Sequence, residues 1–249
     1  MYKLIICDLD DTLLRRDKTV SPHTLDVLRK CRERGILLGA ATARSALNAA
    51  RYIDEVSPDV VISSGGALGV FRGETLVQRG FSAEETASVI SSALRYGCEI
   101  TVDAIGGHYV SYSGSSLECP WSEQIDMSGY HSDALKICVE TPDQAVVQRI
   151  ADEANGCDCV RFSGSDWWML RKSGVTKESA LAEILPKTGL TPADVIAFGD
   201  DLSDIGMLKF CGRGVAMKNA QEAVKEAADD VTCDCDDDGV ARYIEENIL

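Results

Sequence analysis

The stretch LIICDLDDTLL, residues 4–14, decides the reading of this chain. Its first residues are apolar and suit a buried strand. Asp8, Asp10 and Asp11 then crowd into four positions. Like charges packed at the end of a core strand repel strongly in a low-dielectric setting, so something positive must sit among them.

The residues that follow repeat the pattern of a strand and then a helix. SPHTLDVLRKCRERG offers Ser21 as an N-cap, Pro22 at the first helical position and Gly35 just past the end. ILLGAAT, ARSALNAARYIDEV and DVVISSGG continue as strand, helix and strand. Continuous apolar strands separated by helices predict a parallel sheet covered on both faces.

The pattern then changes. GALGVFRGETLVQRGF predicts a hairpin turning near Arg72 and Gly73, and Ser82 with Glu85 predicts a capping box opening a helix that Gly97 closes. EITVDA and HYVSYS alternate as an antiparallel pair around Gly106 and Gly107. ALKICVE, a helix over 142–155, and the strands DCVRFSG and DWWMLRK complete an α+β segment. Strand and helix then resume, with DVIAFGD a further buried strand and GRGVAM a short one. The expected architecture is a Rossmann-like α/β core, residues 1–81 and 169–249, interrupted by an α+β cap, residues 82–168.

Composition narrows the function. A net charge of −15 lacks the basic footprint of a nucleic-acid binder, and no apolar run is long enough to span a bilayer. The chain enters its first strand without a charged leader, which predicts a cytoplasmic protein with no membrane partner. Ten cysteines, most in apolar runs or helices, read as reduced core residues, and the two C-x-C pairs have no histidine nearby for zinc. The run DDVTCDCDDDG, 229–239, reads as a solvated acidic loop.

In an open parallel sheet, ligands bind beyond the carboxyl ends of the strands. Asp8 and Asp10, Thr42, Ser63 and Ser64, and Asp200 and Asp201 all stand at such ends, and Lys177 precedes a helix. Oxygen ligands favour a hard cation, and a few carboxylates with waters suit Mg²⁺. Thr42, the turn Ser64-Gly65-Gly66 and the Lys177 ammonium complete the parts needed to hold a phosphoryl group in transfer. Taken singly, each residue has an ordinary explanation: a turn aspartate, a helix cap at Thr42, a solvated lysine.

Together these motifs resemble the haloacid dehalogenase (HAD) superfamily of phosphatases, in particular the Cof-type subgroup with a large α/β cap (class IIB). Asp8-Leu9-Asp10-Asp11-Thr12-Leu13 matches the first motif, Ala41-Thr42-Ala43-Arg44 the second, Lys177 the third, and Gly199-Asp200-Asp201-Leu202-Ser203-Asp204 the fourth. GVAMKNA and DDGVAR, near the C-terminus, fit as well. The chain departs from the pattern at Gly65, Ser203 and Glu178, where the subgroup usually carries Asn, Asn and Gly.

The resemblance implies that Asp8 is a nucleophile forming an aspartyl-phosphate and that Asp10 is the acid and base. Mg²⁺ would be held by Asp8, the main-chain carbonyl of Asp10 and Asp200, with Asp204 behind or reached through water. Thr42 and Lys177, with Ser64 and Gly65, would grip phosphate. The expected substrate is a small phosphate ester, a sugar or polyol monophosphate before a phosphorylated cofactor such as pyridoxal phosphate or flavin mononucleotide, on whose ring Trp167 or Trp168 could stack. A sugar phosphomutase and a non-enzymatic phospho-receiver are the other readings. A monomer or homodimer is expected.

Overall fold

The computed structural model describes residues 2–112, 121–154, 156–162 and 164–249. Ser113, Asn155 and Ser163, inside an expected strand, helix and strand, lie outside the described residues. The chain forms two compact units. The first comprises residues 1–43, 49–77 and 176–249, and the second 44–48 and 78–175.

The chain begins with β1 (Leu4–Cys7), α1 (Pro22–Glu33), β2 (Leu37–Ala41), α2 (Ala46–Val56), β3 (Val60–Ser63), β4 (Leu68–Phe71) and β5 (Glu74–Gln78). The next stretch holds α3 (Ala83–Arg95), β6 (Glu99–Ala104), β7 (Gly107–Val110), β8 (Glu123–Gln124), β9 (Lys136–Glu140), α4 (Gln144–Glu153), β10 (Cys157–Arg161) and β11 (Trp167–Lys172). The last contains α5 (Lys177–Thr188), β12 (Val195–Gly199), α6 (Ile205–Phe210), β13 (Arg213–Ala216), α7 (Glu222–Ala227), β14 (Asp230–Val231) and α8 (Gly239–Asn247).

The sheet of the first unit runs β14-β13-β12-β1-β2-β3-β4-β5. From β14 to β3 every pairing is parallel, and β4 turns antiparallel to β3. This is the expected Rossmann-like α/β core. Chain order reverses beside β1, which pairs with β2 on one edge and β12 on the other, so a crevice opens beyond their carboxyl ends. Leu4, Ile6, Val195 to Phe198 and Val215 are wholly buried, as strands covered on both faces must be.

Local rules chose the boundaries. The Ser21 hydroxyl accepts a hydrogen bond from Thr24 N–H and starts α1, and the Ser82–Glu85 capping box forms as the sequence predicts. The hairpin turns through Arg72 and Gly73, both at positive φ. The helix expected from residue 142 begins two residues later, because Asp143 accepts from Ala145 N–H and acts as its cap.

The second unit has a six-stranded sheet in the order β10-β11-β9-β6-β7-β8, with its own apolar cluster built from α3, α4 and one sheet face. No helix among the described residues is long and apolar enough to cross a membrane. The described cysteines are free thiols, and six of them are buried.

The acidic run 229–239 is more than a solvated loop. Residues 230–231 form β14, the edge strand beside β13. Asp238 pairs with Arg15 at 2.8 Å and Asp234 with Arg16 at 2.9 Å, so the run is fastened to the segment just beyond the first motif. Its charges are local partners for two arginines that sequence distance hid.

Phe198 is fully buried and meets the Tyr243 ring edge-on, with centroids 5.6 Å apart. Phe198→Ala should cost about 3–5 kcal/mol of stability, read as a lower urea midpoint. A midpoint near that of the wild type would show that the core collapses around the cavity.

Candidate active site

The motif residues gather where β1 and β12 end. After β1 the chain does not continue straight. Asp10 is extended at φ −67°, ψ 128°, and Asp11 is left-handed at φ 56°. The Leu13 and Leu14 amides turn back to the carbonyls of Asp8 and Leu9. Cys7 stays in the core at 2% exposure while Asp8 heads the turn. The Asp8 amide donates to the Phe198 carbonyl at 3.0 Å, which ties the first motif to the strand leading to the fourth.

The Lys177 ammonium organises the centre. Its Nζ lies 2.6 Å from Asp8 Oδ1 and 2.6 Å from Asp204 Oδ1, with all three side chains buried. Asp204 Oδ2 accepts from the amides of Asp200 and Asp201 at 3.1 Å each. A Cβ on Gly199 would stand 2.5 Å from that of Asp204, so only glycine lets the Asp204 side chain tuck in. Asp200 Oδ1 accepts from the Thr12 hydroxyl at 2.7 Å. Oxygens of Asp8, Asp200 and Asp204 all lie within 4.8 Å of one another.

Burial sets the protonation of these acids. Desolvation raises the Asp8 pKa well above the usual carboxylate range; Lys177 pulls against this, and Asp204, Asp200 and Asp10 add to it. Asp200 is raised to about 7, again chiefly by burial, with the Thr12 hydrogen bond opposing. For Lys177 burial acts to lower the pKa, but Asp204 and Asp8 outweigh it and the pKa is raised, so the ammonium stays charged.

Around the centre, Thr42 follows β2 and is buried, its amide bound to Ile62 O and its carbonyl accepting from Gly65 N–H. Ser45, not Thr42, caps α2, since its hydroxyl accepts from Asn48 N–H. Ser63 and Ser64 end β3 with buried hydroxyls that have no hydrogen-bond partner among the described residues. Ser64, Gly65 and Gly66 all take positive φ. Gly66 also lies against the Thr176 carbonyl where no Cβ fits. Asp10 is turned outward: it pairs with Lys18 Nζ at 3.0 Å, and its side chain is about one-third exposed. Thus Asp8, Asp200, Asp204 and Lys177 form the centre, while the Asp10 carboxylate is held by a different lysine.

Sequence reasoning gave no role to Thr12, Lys18 or Asn219. Thr12 orients Asp200. Asn219 donates to the Asp11 carbonyl at 2.7 Å and accepts from the Cys235 amide, bracing the turn that carries Asp10. Both stand inside quoted motifs, DLDDTL and GVAMKNA, which was the available signal. Lys18 had none. A cavity of about 560 Å³ in the second unit, lined by Phe81, Tyr109 and Tyr130 among others, contains none of these motif residues.

The three converging carboxylates offer only hard oxygen donors, a set that fits a hard divalent cation.

Comparison with known proteins agrees. The family of haloacid dehalogenase-like hydrolases matches residues 5–244. The chain belongs to that family. It is therefore an enzyme of the hydrolase class. It is 26% identical to the 5-amino-6-(5-phospho-D-ribitylamino)uracil phosphatase YcsE of Bacillus subtilis (strain 168), across 99% of this chain and 96% of the relative. It is 27% identical to an HMP-PP phosphatase of Yersinia enterocolitica, across 98% and 95%. The solved structure of the HAD phosphatase BT1666 from Bacteroides thetaiotaomicron superposes with a TM-score of 0.86 at 26% identity, covering 99% of this chain and 95% of that one.

A carboxylate whose folded pKa is raised favours folding below its unfolded value and loses that contribution as pH rises through the folded value. For Asp200 the window runs from about 4 to about 7. In chelator, Tm should therefore fall across this range, and Asp200→Asn should flatten the fall. An unchanged slope in the variant would show that Asp200 is not the crowded group.

Proposed function

We propose that this hydrolase is a Mg²⁺-dependent phosphatase acting on a small phosphorylated metabolite through an aspartyl-phosphate on Asp8. The observation that carries this reading is the convergence of Asp8, Asp200 and Asp204 about the buried Lys177 ammonium. Three acids held together at two neighbouring strand ends have little structural use and a direct chemical one.

Asp8 is the nucleophile. Its carboxylate attacks phosphorus in line, the bond to the leaving oxygen breaks, and the phosphoryl group rests on Asp8. Asp10, once protonated and released from Lys18, gives its proton to the leaving oxygen, then as a carboxylate takes one from the water that attacks the aspartyl-phosphate. Orthophosphate leaves and Asp8 is regenerated. Lys18, paired with Asp10, holds that side chain at the rim of the turn. Lys177, Thr42 and the 64–65 turn hold the phosphoryl oxygens, and the Ser64 hydroxyl, unpartnered among the described residues, suits that task. Asp8, Asp200 and the Asp10 carbonyl would hold Mg²⁺, with Asp204 behind them. When bound, the ion neutralises charge on the phosphoryl oxygens.

For the substrate we favour a monophosphate whose organic portion is uncharged, a sugar or polyol phosphate. The chain carries a net charge of −15, with 4 basic and 14 acidic residues over 82–168, a balance that disfavours a substrate with further anionic charge. The ribityl phosphate named for the Bacillus relative is of this type. Stacking by Trp168 on a cofactor ring has little support, because that ring is buried in the second unit with Nε1 donating to Thr141 O at 3.0 Å.

Asp8→Asn should abolish release of phosphate from an aryl phosphate while leaving the melting curve cooperative, and chelator should do the same to the wild type. Normal turnover in either case would contradict the mechanism. Asp10→Asn should lower kcat by about 10²–10⁴-fold on a sugar phosphate, whose leaving oxygen needs a proton. The loss should be much smaller on an activated aryl phosphate. Equal losses on both esters would remove Asp10 from the acid role.

A further inference from the structure

The cavity of the second unit has no part in the chemistry above. Its volume of about 560 Å³ is ordinary for a small-molecule site. The lining residues all lie between 78 and 135, inside that unit, so the carboxylate centre contributes nothing to it. The floor is apolar, with Phe81, Ala134 and Leu135 at 5% exposure or less. Gln78, Ser132 and Asp133 are exposed at the rim, and Ile105, at the tip of the β6–β7 hairpin, is 62% exposed.

Backbone contacts set the walls. Phe81 and Ala134 exchange hydrogen bonds at 2.7 and 3.1 Å, forming a short antiparallel bridge. A Cβ on Gly80 would stand 2.1 Å from the Ala134 carbonyl oxygen, so this closure needs glycine. Tyr109 stands across the ladder from Val102, which puts it on the sheet face that α3 and α4 cover. There its ring lies 5.4 Å from that of Tyr130, tilted by 55°. Phe81, Tyr109 and Tyr130 thus give the cavity three aromatic sides. Arginine or lysine stands over other rings, but over none of these among the described residues. Asp133 is the one charged lining residue, and it has no ion-pair partner among the described residues.

We propose that this cavity binds a small organic ammonium ion, its charge set against the aromatic sides and opposite Asp133. The electron-rich faces of aromatic rings attract a cation, and do so more strongly where water is excluded. The alkyl groups of such an ion suit the apolar floor. A hard metal ion needs several oxygen ligands and would find a single carboxylate here. An anion would meet Asp133 in a chain of net charge −15. Phosphate esters are anions, so the ligand of this cavity is a second molecule, and the inference does not depend on the phosphatase reading.

Isothermal titration calorimetry on the full chain in excess Mg²⁺ tests this, with choline and its uncharged isostere 3,3-dimethylbutan-1-ol as probes. Choline should bind at one site per chain, and the neutral alcohol about 5- to 30-fold more weakly. Asp133 is exposed, so Asp133→Asn should fold normally, weaken choline and leave the alcohol unchanged. Tyr130→Leu should remove most of the preference for the cation. Tyr130→Phe keeps the ring and drops a hydroxyl that has no hydrogen-bond partner among the described residues, so it should retain that preference. Absence of saturable choline binding, or equal affinity for the two probes in the wild type, would overturn the proposal. So would choline affinity undiminished in Asp133→Asn and Tyr130→Leu. Binding seen only without Mg²⁺ would place the cation at the Asp8–Asp200–Asp204 centre and overturn it equally.

Discussion

The buried contact of Lys177 with Asp8 and Asp204 is the interaction on which the rest of the first unit depends. Lys177 is the first residue of α5, where the partial positive charge of a helix start disfavours a cation. Its burial adds a second cost. Both are offset only because two carboxylates meet the ammonium at 2.6 Å. Those carboxylates, for their part, could not share the site without it. Removing Lys177 would leave two buried acids without their counter-ion, which is far more destabilising than losing a surface ion pair.

The sheet topology makes the meeting possible. Asp8 comes from the end of β1 and Asp204 from the turn after β12, strands that are neighbours in space though almost two hundred residues apart. Their parallel pairing places both ends on one edge. Gly199 then gives Asp204 room to turn inward, and Thr12 holds Asp200 alongside. Local choices of small residue and hydroxyl thus convert a general property of α/β sheets into a site with defined charge. Lys177 offsets only part of the acids' charge, so Asp8 and Asp200 have raised pKa values and the cluster is poised to exchange protons for a cation.

Much of this was legible in the sequence. Apolar runs such as LIIC and VIAFG are short enough to suit buried strands, and their spacing by capped helices gave the parallel core. The aspartates, Thr42 and Lys177 stood out because each ended a strand or began a helix. What escaped notice depended on contacts between distant segments. Arg15 and Arg16 capture Asp238 and Asp234, Asn219 braces the Asp11 carbonyl, and Lys18 takes the Asp10 side chain. Sequence periodicity shows which face a residue joins, but not which neighbour lies across the ladder.

The claim that Asp8 itself takes up the phosphoryl group is tested most directly by the stereochemical course at phosphorus. Hydrolysis of an isotopically chiral thiophosphate ester distinguishes one in-line displacement from two. Attack by Asp8 followed by attack of water on the aspartyl-phosphate inverts phosphorus twice, so the account predicts overall retention. Overall inversion would mean that water attacks the substrate directly, and would contradict it.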